Sequence, residues 1–373
     1  MRNAWKTLCI LLSLALLFSA CAAPAKTEPA ANTHVVVDHN GAEVEVPNDI
    51  NRIVVCDILP LPSVLAVFFD SADKIVGMAQ PSLTAAQNGL LGELYPEILN
   101  VQTGFIDGTK VNVEELLKLE PDVVFYNATS TELGEQLRSA GFAAVAVSVN
   151  KWNYNAIETL NHWIELLEAL FPGNDKAKRV ADYSDQTYEL IQSRVQALPD
   201  DQREDAFFLF KYDDSTLMTS GKQFFGQWWA EAIGAHNVAE ELTADNSVAV
   251  NMEQVYKWSP SLIFITNFTT AVPEDLYGST VGGYDWSAVP AVENRRVYKM
   301  PLGMYRSYTP GVDTPVTLLW LAKTAYPGLF EDIDITETVK SYYKDIFGID
   351  LTDAQAASIF APAAEAGSGF DYQ

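Results

Sequence analysis

The feature that most limits the fold is a unit that occurs twice. Residues 111–127 read VNVEELLKLEPDVVFYN, and residues 250–266 read VNMEQVYKWSPSLIFIT. Identical letters fall at Val111/Val250, Asn112/Asn251, Glu114/Glu253, Lys118/Lys257, Pro121/Pro260 and Phe125/Phe264. Each copy reads as a short helix, a break at Pro, and an apolar run of strand length. Helices alternating with short apolar strands imply a mostly parallel sheet, so two copies imply two pseudo-equivalent α/β lobes. Between the copies, residues 175–198 contain no Gly or Pro, and Val180, Tyr183, Tyr188, Ile191, Val195 and Leu198 fall at mostly helical spacing. At ~1.5 Å per residue such a helix is ~36 Å long, enough to cross from one lobe to the other.

The remaining pattern fits this frame. Apolar runs at 35–37 and 44–46 flank Asn40-Gly41, a hairpin signal. Strands are expected at 52–57, 75–78, 122–126 and 143–149, and again at 206–210, 262–266 and 297–300. The expected division is an N-terminal α/β lobe at 34–154, a connecting helical segment at 155–199, a C-terminal α/β lobe with closing helices at 200–360, and a flexible tail at 361–373.

Ahead of this lies an export signal. Arg2 and Lys6 precede an apolar run at 8–20, which is 13 residues long and too short to span a bilayer. The small residues before Cys21 resemble a bacterial lipobox, with Phe18 where Leu is commonest. The expectation is a signal peptide at 1–20, lipid on Cys21, and a flexible tether at 21–33 rich in Ala and Pro. The protein is then anchored, not spanning, on the outer face of the cytoplasmic membrane or in a periplasm.

Charge narrows the function. Against 49 Asp and Glu there are 24 Lys and Arg, a formal net charge of −25 over 373 residues. Nucleic-acid binding needs clustered bases and is not expected. The three Cys and four His form no CxxC, HxxxH or HExxH, so no metal site is proposed. A surface hydrolase is disfavoured because no GxSxG is present and no acid, base and nucleophile are linked by spacing. No catalytic residue is assigned.

Several segments together carry a family resemblance: 38–55 (DHNGAEVEVPNDINRIVV), 73–78 (DKIVGM), 111–127, 219–241 (TSGKQFFGQWWAEAIGAHNVAEE) and 318–348. They resemble the substrate-binding proteins of ABC importers for ferric siderophores, haem and cobalamin, the helical-backbone class. The resemblance implies two Rossmann-like lobes joined by a long rigid backbone helix, with the ligand cleft between them. It implies an iron chelate or cobalamin-type ligand, no intrinsic cofactor, and delivery to membrane subunits served by a cytoplasmic ATPase. A monomer is expected. A molybdate or tungstate oxyanion on the same scaffold is the alternative. The chain has His236 where the family often has Glu, which suggests a surface substitution.

In parallel lobes, ligands meet the loops at the carboxyl ends of strands. There, Tyr126, Tyr212, Trp286, Tyr305 and Tyr308 supply aromatic walls, with Asn127 beside Tyr126, and Lys211, Lys222 and Arg306 supply charge. Arg306 suits a carboxylate or oxyanion, with Asp313 as the competing partner. The tyrosines can stack on a ligand or, as phenolates, coordinate Fe(III). Ser220-Gly221-Lys222 forms a turn whose N–H groups can hold an anion. Met78 and Met304 read as core filling and Cys56 as a free buried thiol. The resemblance also implies one docking acid on each lobe: Glu132, with Glu135 as its rival, and Glu274.

Overall fold

The structure is a computed structural model and describes residues 32–107, 110–173 and 176–370. The expected signal peptide, Cys21 and nearly all of the expected tether lie outside these residues.

The described residues open with β1 (Thr33–Val37) and β2 (Glu43–Pro47), an antiparallel hairpin. Gly41 takes φ +79° in its turn, a left-handed conformation that favours glycine. The N-terminal lobe is built on β3 (Ile53–Val55), β4 (Ile75–Met78), β7 (Val123–Asn127) and β8 (Ala144–Val147). They form one parallel sheet in the order β4-β3-β7-β8. A small ribbon, β5 (Ile106–Asp107) with β6 (Lys110–Val111), stands apart.

The C-terminal lobe is a second sheet. Its strands are β9 (Asp205–Tyr212), β10 (Leu217–Ser220), β11 (His236–Asn237), β12 (Ser247–Ala249), β13 (Leu262–Ile265) and β14 (Val297–Lys299). The order is β12-β10-β9-β13-β14, with β11 also on β9. The β9, β13 and β14 core is parallel, whereas β10 and β12 form an antiparallel edge. That edge was not foreseen: Leu217–Ser220 is short and ends in the polar letters of a turn signal.

The repeat is structural. In each copy a helix, Val113–Leu117 or Met252–Trp258, leads into a central strand, β7 or β13. The Asn112 side chain accepts from the N–H groups of Glu114 and Glu115, and that of Asn251 from Gln254. Both shared asparagines are therefore helix caps. The residues before the shared prolines, Glu120 and Ser259, both take left-handed φ, +45° and +51°.

Helix Lys176–Val195, 20 residues long, links the lobes. Val180, near its start, is buried in the N-lobe core with Leu160 and Leu167, whereas Ile191 and Val195 are buried in the C-lobe core with Trp229 and Leu321. One rigid element thus contributes to both cores, which opposes wide hinge motion. The fold is α/β and two-lobed, with a backbone helix.

The chain's end departs from expectation. Residues 361–370 are not a loose tail: Ala364–Gly367 forms a 3-10 turn against helix Gln80–Gln87 of the N-lobe, and Ala366 and Gly367 are buried. Residues 371–373 lie outside the described residues.

Candidate functional site

The loop that leaves β14, residues 300–308, is wholly buried where the lobes meet. Asp313, just before helix Thr314–Ala325, pins it. Its carboxylate accepts from Met304 N–H at 2.7 Å and from the Tyr343 hydroxyl. Gly303 lies so close that a Cβ there would come within 2.6 Å of that carboxylate. Burial pushes the Asp313 carboxyl up to about 6, against its hydrogen bonds from Tyr343 and the 304–305 backbone.

Held this way, the loop turns Arg306 inward, and the residue is 0% exposed. Among the described residues its guanidinium meets no carboxylate. Nε and Nη2 donate to the Ala366 carbonyl at 3.1 and 2.9 Å, and Nη2 also donates to that of Ser368 at 3.1 Å. The rings of Phe268, Tyr305 and Phe370 lie 5.0–5.8 Å from Cζ. Asp313, the rival partner, is engaged elsewhere.

Beside it lies a second buried cation. Lys299 Nζ donates to the carbonyls of Thr266, Thr269 and Ala271 at 2.6–2.9 Å. Burial first, and the nearby Arg306 charge second, pull it down to about 7. In a chain this acidic, the buried Arg306 guanidinium, joined below about pH 7 by the Lys299 ammonium and with no salt bridge to either among the described residues, makes a positive locus.

Four consecutive residues also present buried polar atoms that make no well-formed hydrogen bond, Tyr305 Oη, Arg306 Nη1, Ser307 Oγ and Tyr308 Oη, joined by Asn267 Oδ1; the Tyr305 hydroxyl has only the Arg306 guanidinium near it, and the Tyr308 hydroxyl only Ser220 and the Gly226 N–H. Such atoms are costly unless something meets them. The Tyr308 hydroxyl faces Ser220, whose Oγ accepts from Gly226 N–H at 2.8 Å, and its ring lies among Phe208, Phe210, Phe224 and Phe225. Arg306 favours the Tyr305 phenolate, but burial outweighs it; burial raises Tyr308 too. Phenolate ligation of iron is therefore opposed at both tyrosines. Among the described residues, no three His, Cys, Asp or Glu side chains converge on a metal position.

Residues 86–302 match the periplasmic binding protein family. The chain belongs to that family. Periplasmic binding proteins are the extracytoplasmic, solute-capturing components of ABC importers. The chain is 26% identical over 369 residues to the molybdate-binding protein MolA of Haemophilus influenzae, covering 93% of this chain and 100% of MolA. The solved structure of MolA bound to molybdate superposes with a TM-score of 0.71 at 25% identity, over 86% of this chain and 99% of that one. A periplasmic solute binding protein from Veillonella parvula reaches 0.77 at 28% identity, over 88% and 97%. Helicobacter pylori CeuE with nickel shares the fold at 0.70 and 22% identity, over 88% and 99%.

Within this periplasmic binding protein the expected site residues divide. Tyr305 meets Arg306 and Ser220 meets Tyr308, and the Phe268 ring lies against both Arg306 and Tyr308. Tyr126 does not join them: it is buried under helix Thr131–Ser139, accepts from Arg138 at 2.8 Å and leaves no room for a side chain at Gly134. Asn127 holds its own loop, accepting from Thr129 and passing its N–H to Asp57. Tyr212 and Trp286 are core residues on another side of the second sheet, where Trp286 Nε1 donates to the Tyr212 hydroxyl at 2.9 Å. Lys222 is exposed and Lys211 half-buried on β9. The turn at 220–222 is closed by Lys222 N–H donating to Leu242 O at 2.7 Å.

Met78, Met304 and Cys56 are buried as expected, and Cys56 is a free thiol. His236 is 41% exposed in its side chain, 3.3 Å from Asp200. Glu132 and Glu274 are exposed in the first turns of helices Thr131–Ser139 and Pro273–Gly278. Lys299 and the 364–370 segment were missed, and Asn267, in the strand-end loop 267–270 where a ligand is expected, was not singled out. Lys299 had a signal too, as a lone base in the apolar strand run 297–300.

Proposed function

We propose that the protein is an exported lipoprotein that captures an oxyanion of the molybdate or tungstate type for an ABC importer and holds it on Arg306. The observation that carries this is the buried Arg306 guanidinium: among the described residues it has no acid partner, its Nη1 is unpartnered, and the Tyr305 hydroxyl lies beside it. Guanidinium and hydroxyl donors suit the oxygens of an anion, and a charge-assisted contact is about twice as strong as a neutral one. Full-length kinship with a molybdate-binding protein supports the same ligand class. A metal chelate bearing carboxylates is the second reading, favoured by the rings of Phe268, Tyr305 and Phe370 around the guanidinium.

Titration calorimetry of the full chain with sodium molybdate tests it. Arg306→Ala is expected to weaken binding by roughly 2–4 kcal/mol, the cost of leaving a buried anion without its charged partner. Unchanged affinity would move the site elsewhere.

Anchoring belongs to the same proposal. Cys21→Ala is expected to abolish lipid attachment while leaving thermal unfolding unaltered, because Cys21 precedes the folded lobes. Mass spectrometry of membrane-extracted protein checks it, and a mature N-terminus at any other residue, unmodified, would sink the lipobox assignment.

A further inference from the structure

We propose that residues 364–370 are a built-in competitor for the ligand: the carbonyls of Ala366 and Ser368 stand where ligand oxygens bind Arg306, and capture requires this segment to leave. The proposal rests on Arg306 as the anion site. Its basis is the geometry of the cover. An arginine offers five N–H donors. The segment meets Nε and Nη2 with neutral carbonyls at 2.9–3.1 Å and leaves Nη1 with none. It brings no charge to the guanidinium, and the nearest acid in the segment, Glu365, points to solvent. An anion would satisfy the same donors and the charge together, so it is the stronger occupant.

The segment is also built to lie close and to come away. At Gly367 a Cβ would fall 2.1 Å from the Thr269 carbonyl, so only glycine allows the approach. Gly369 takes φ +72° beside Thr84, which carries the chain from the C-lobe loop to the N-lobe helix Gln80–Gln87. The stretch between, Ala366-Gly367-Ser368-Gly369, has almost no side chain to bury. Its main anchor is Phe370, whose ring meets Phe268 at 4.6 Å and Phe210 at 6.0 Å. Two surface cavities, lined by residues such as Arg203 and His236 or Arg52 and Gln102, lie elsewhere, whereas this segment packs between Thr269 of the C-lobe and helix Gln80–Gln87 of the N-lobe.

When a competing closed state holds most of the population, apparent affinity falls by the open fraction; nine parts closed to one open costs about tenfold. The test compares three chains titrated with sodium molybdate: the full chain, a chain ending at Ala363, and Gly367→Ala in the full chain. Gly367→Ala evicts the segment by one methyl group and guards against misfolding of the truncation, with circular dichroism as the control. The expected result is about tenfold tighter binding in both variants, with faster amide exchange over 364–370 when molybdate is added to the full chain. Equal affinities with unchanged exchange would overturn the proposal and leave the anion site standing. Weaker binding in both variants would overturn it too, making the segment a wall of the site. Absence of molybdate binding by all three folded chains would overturn the anion site itself, and the competitor with it.

Discussion

Replacing Glu132 and Glu274 together by lysine is expected to stop uptake while leaving ligand affinity in solution unchanged. The two acids occupy matching places. Each lies in the first turn of a helix that follows a central strand, β7 or β13, and those strands are the paired members of the internal repeat. Both side chains are exposed, and neither forms a salt bridge among the described residues. A first-turn acid suits the helix dipole by about 0.3–1 kcal/mol, but no ion pair among the described residues asks for a carboxylate at either position. We propose that they dock into basic pockets of the membrane subunits, one lobe to each. Charge reversal at both ends converts two attractions into two repulsions, and association should fall by roughly 100-fold or more. Wild-type association should weaken between low and physiological salt, as exposed charges are screened over about 8–10 Å. Uptake into vesicles carrying the importer is the measurement. A wild-type rate in the double variant would exclude this pair and leave Glu135, which is exposed on the same helix, as the N-lobe acid to test.

How much of this was legible in the letters differs between fold and site. The repeat fixed two lobes because its shared residues have backbone jobs: Asn112 and Asn251 cap helices, and each proline follows a residue in left-handed φ. The linking helix was readable because helical periodicity survives along a solvated element. Aromatic residues near strand ends were a poorer guide. Tyr126 and Tyr212 stand at the carboxyl ends of their strands and Trp286 lies in the long connection after β13, yet each turns into a core and gives or receives a hydrogen bond there. A one-residue change along a strand reverses the face, and composition carries no register. Arg306 was legible as a charge. Its cover was not, because glycine, serine and alanine at a chain end read as a flexible tail; what orders them is the close approach to Thr269 and a carbonyl pair aimed at a distant guanidinium.

The largest stability effect should come from Asp313, the residue that holds the Arg306 loop. Asp313→Ala leaves Met304 N–H and the Tyr343 hydroxyl without their acceptor in a fully buried position. At about 1–3 kcal/mol for each orphaned donor, a loss of roughly 3–5 kcal/mol is expected. Weaker anion binding should accompany it, because the loop that aims Arg306 is released. Its pH dependence has a definite sign. Burial raises the folded carboxyl to about 6 from the ordinary 3.8. The native state therefore holds a proton that the unfolded chain releases, so this group's stabilising contribution is full below pH 3.8 and is lost as pH rises through about 6. That interval is worth about 3 kcal/mol. Asp313→Asn stays neutral at every pH, so the difference in unfolding free energy between wild type and this variant should drift by about that amount, in favour of the variant, from pH 4 to pH 7. Urea unfolding at a series of pH values measures both. A cost below about 1 kcal/mol for Asp313→Ala, or a difference that does not move with pH, would show that the loop above Arg306 is held by something other than this carboxyl group.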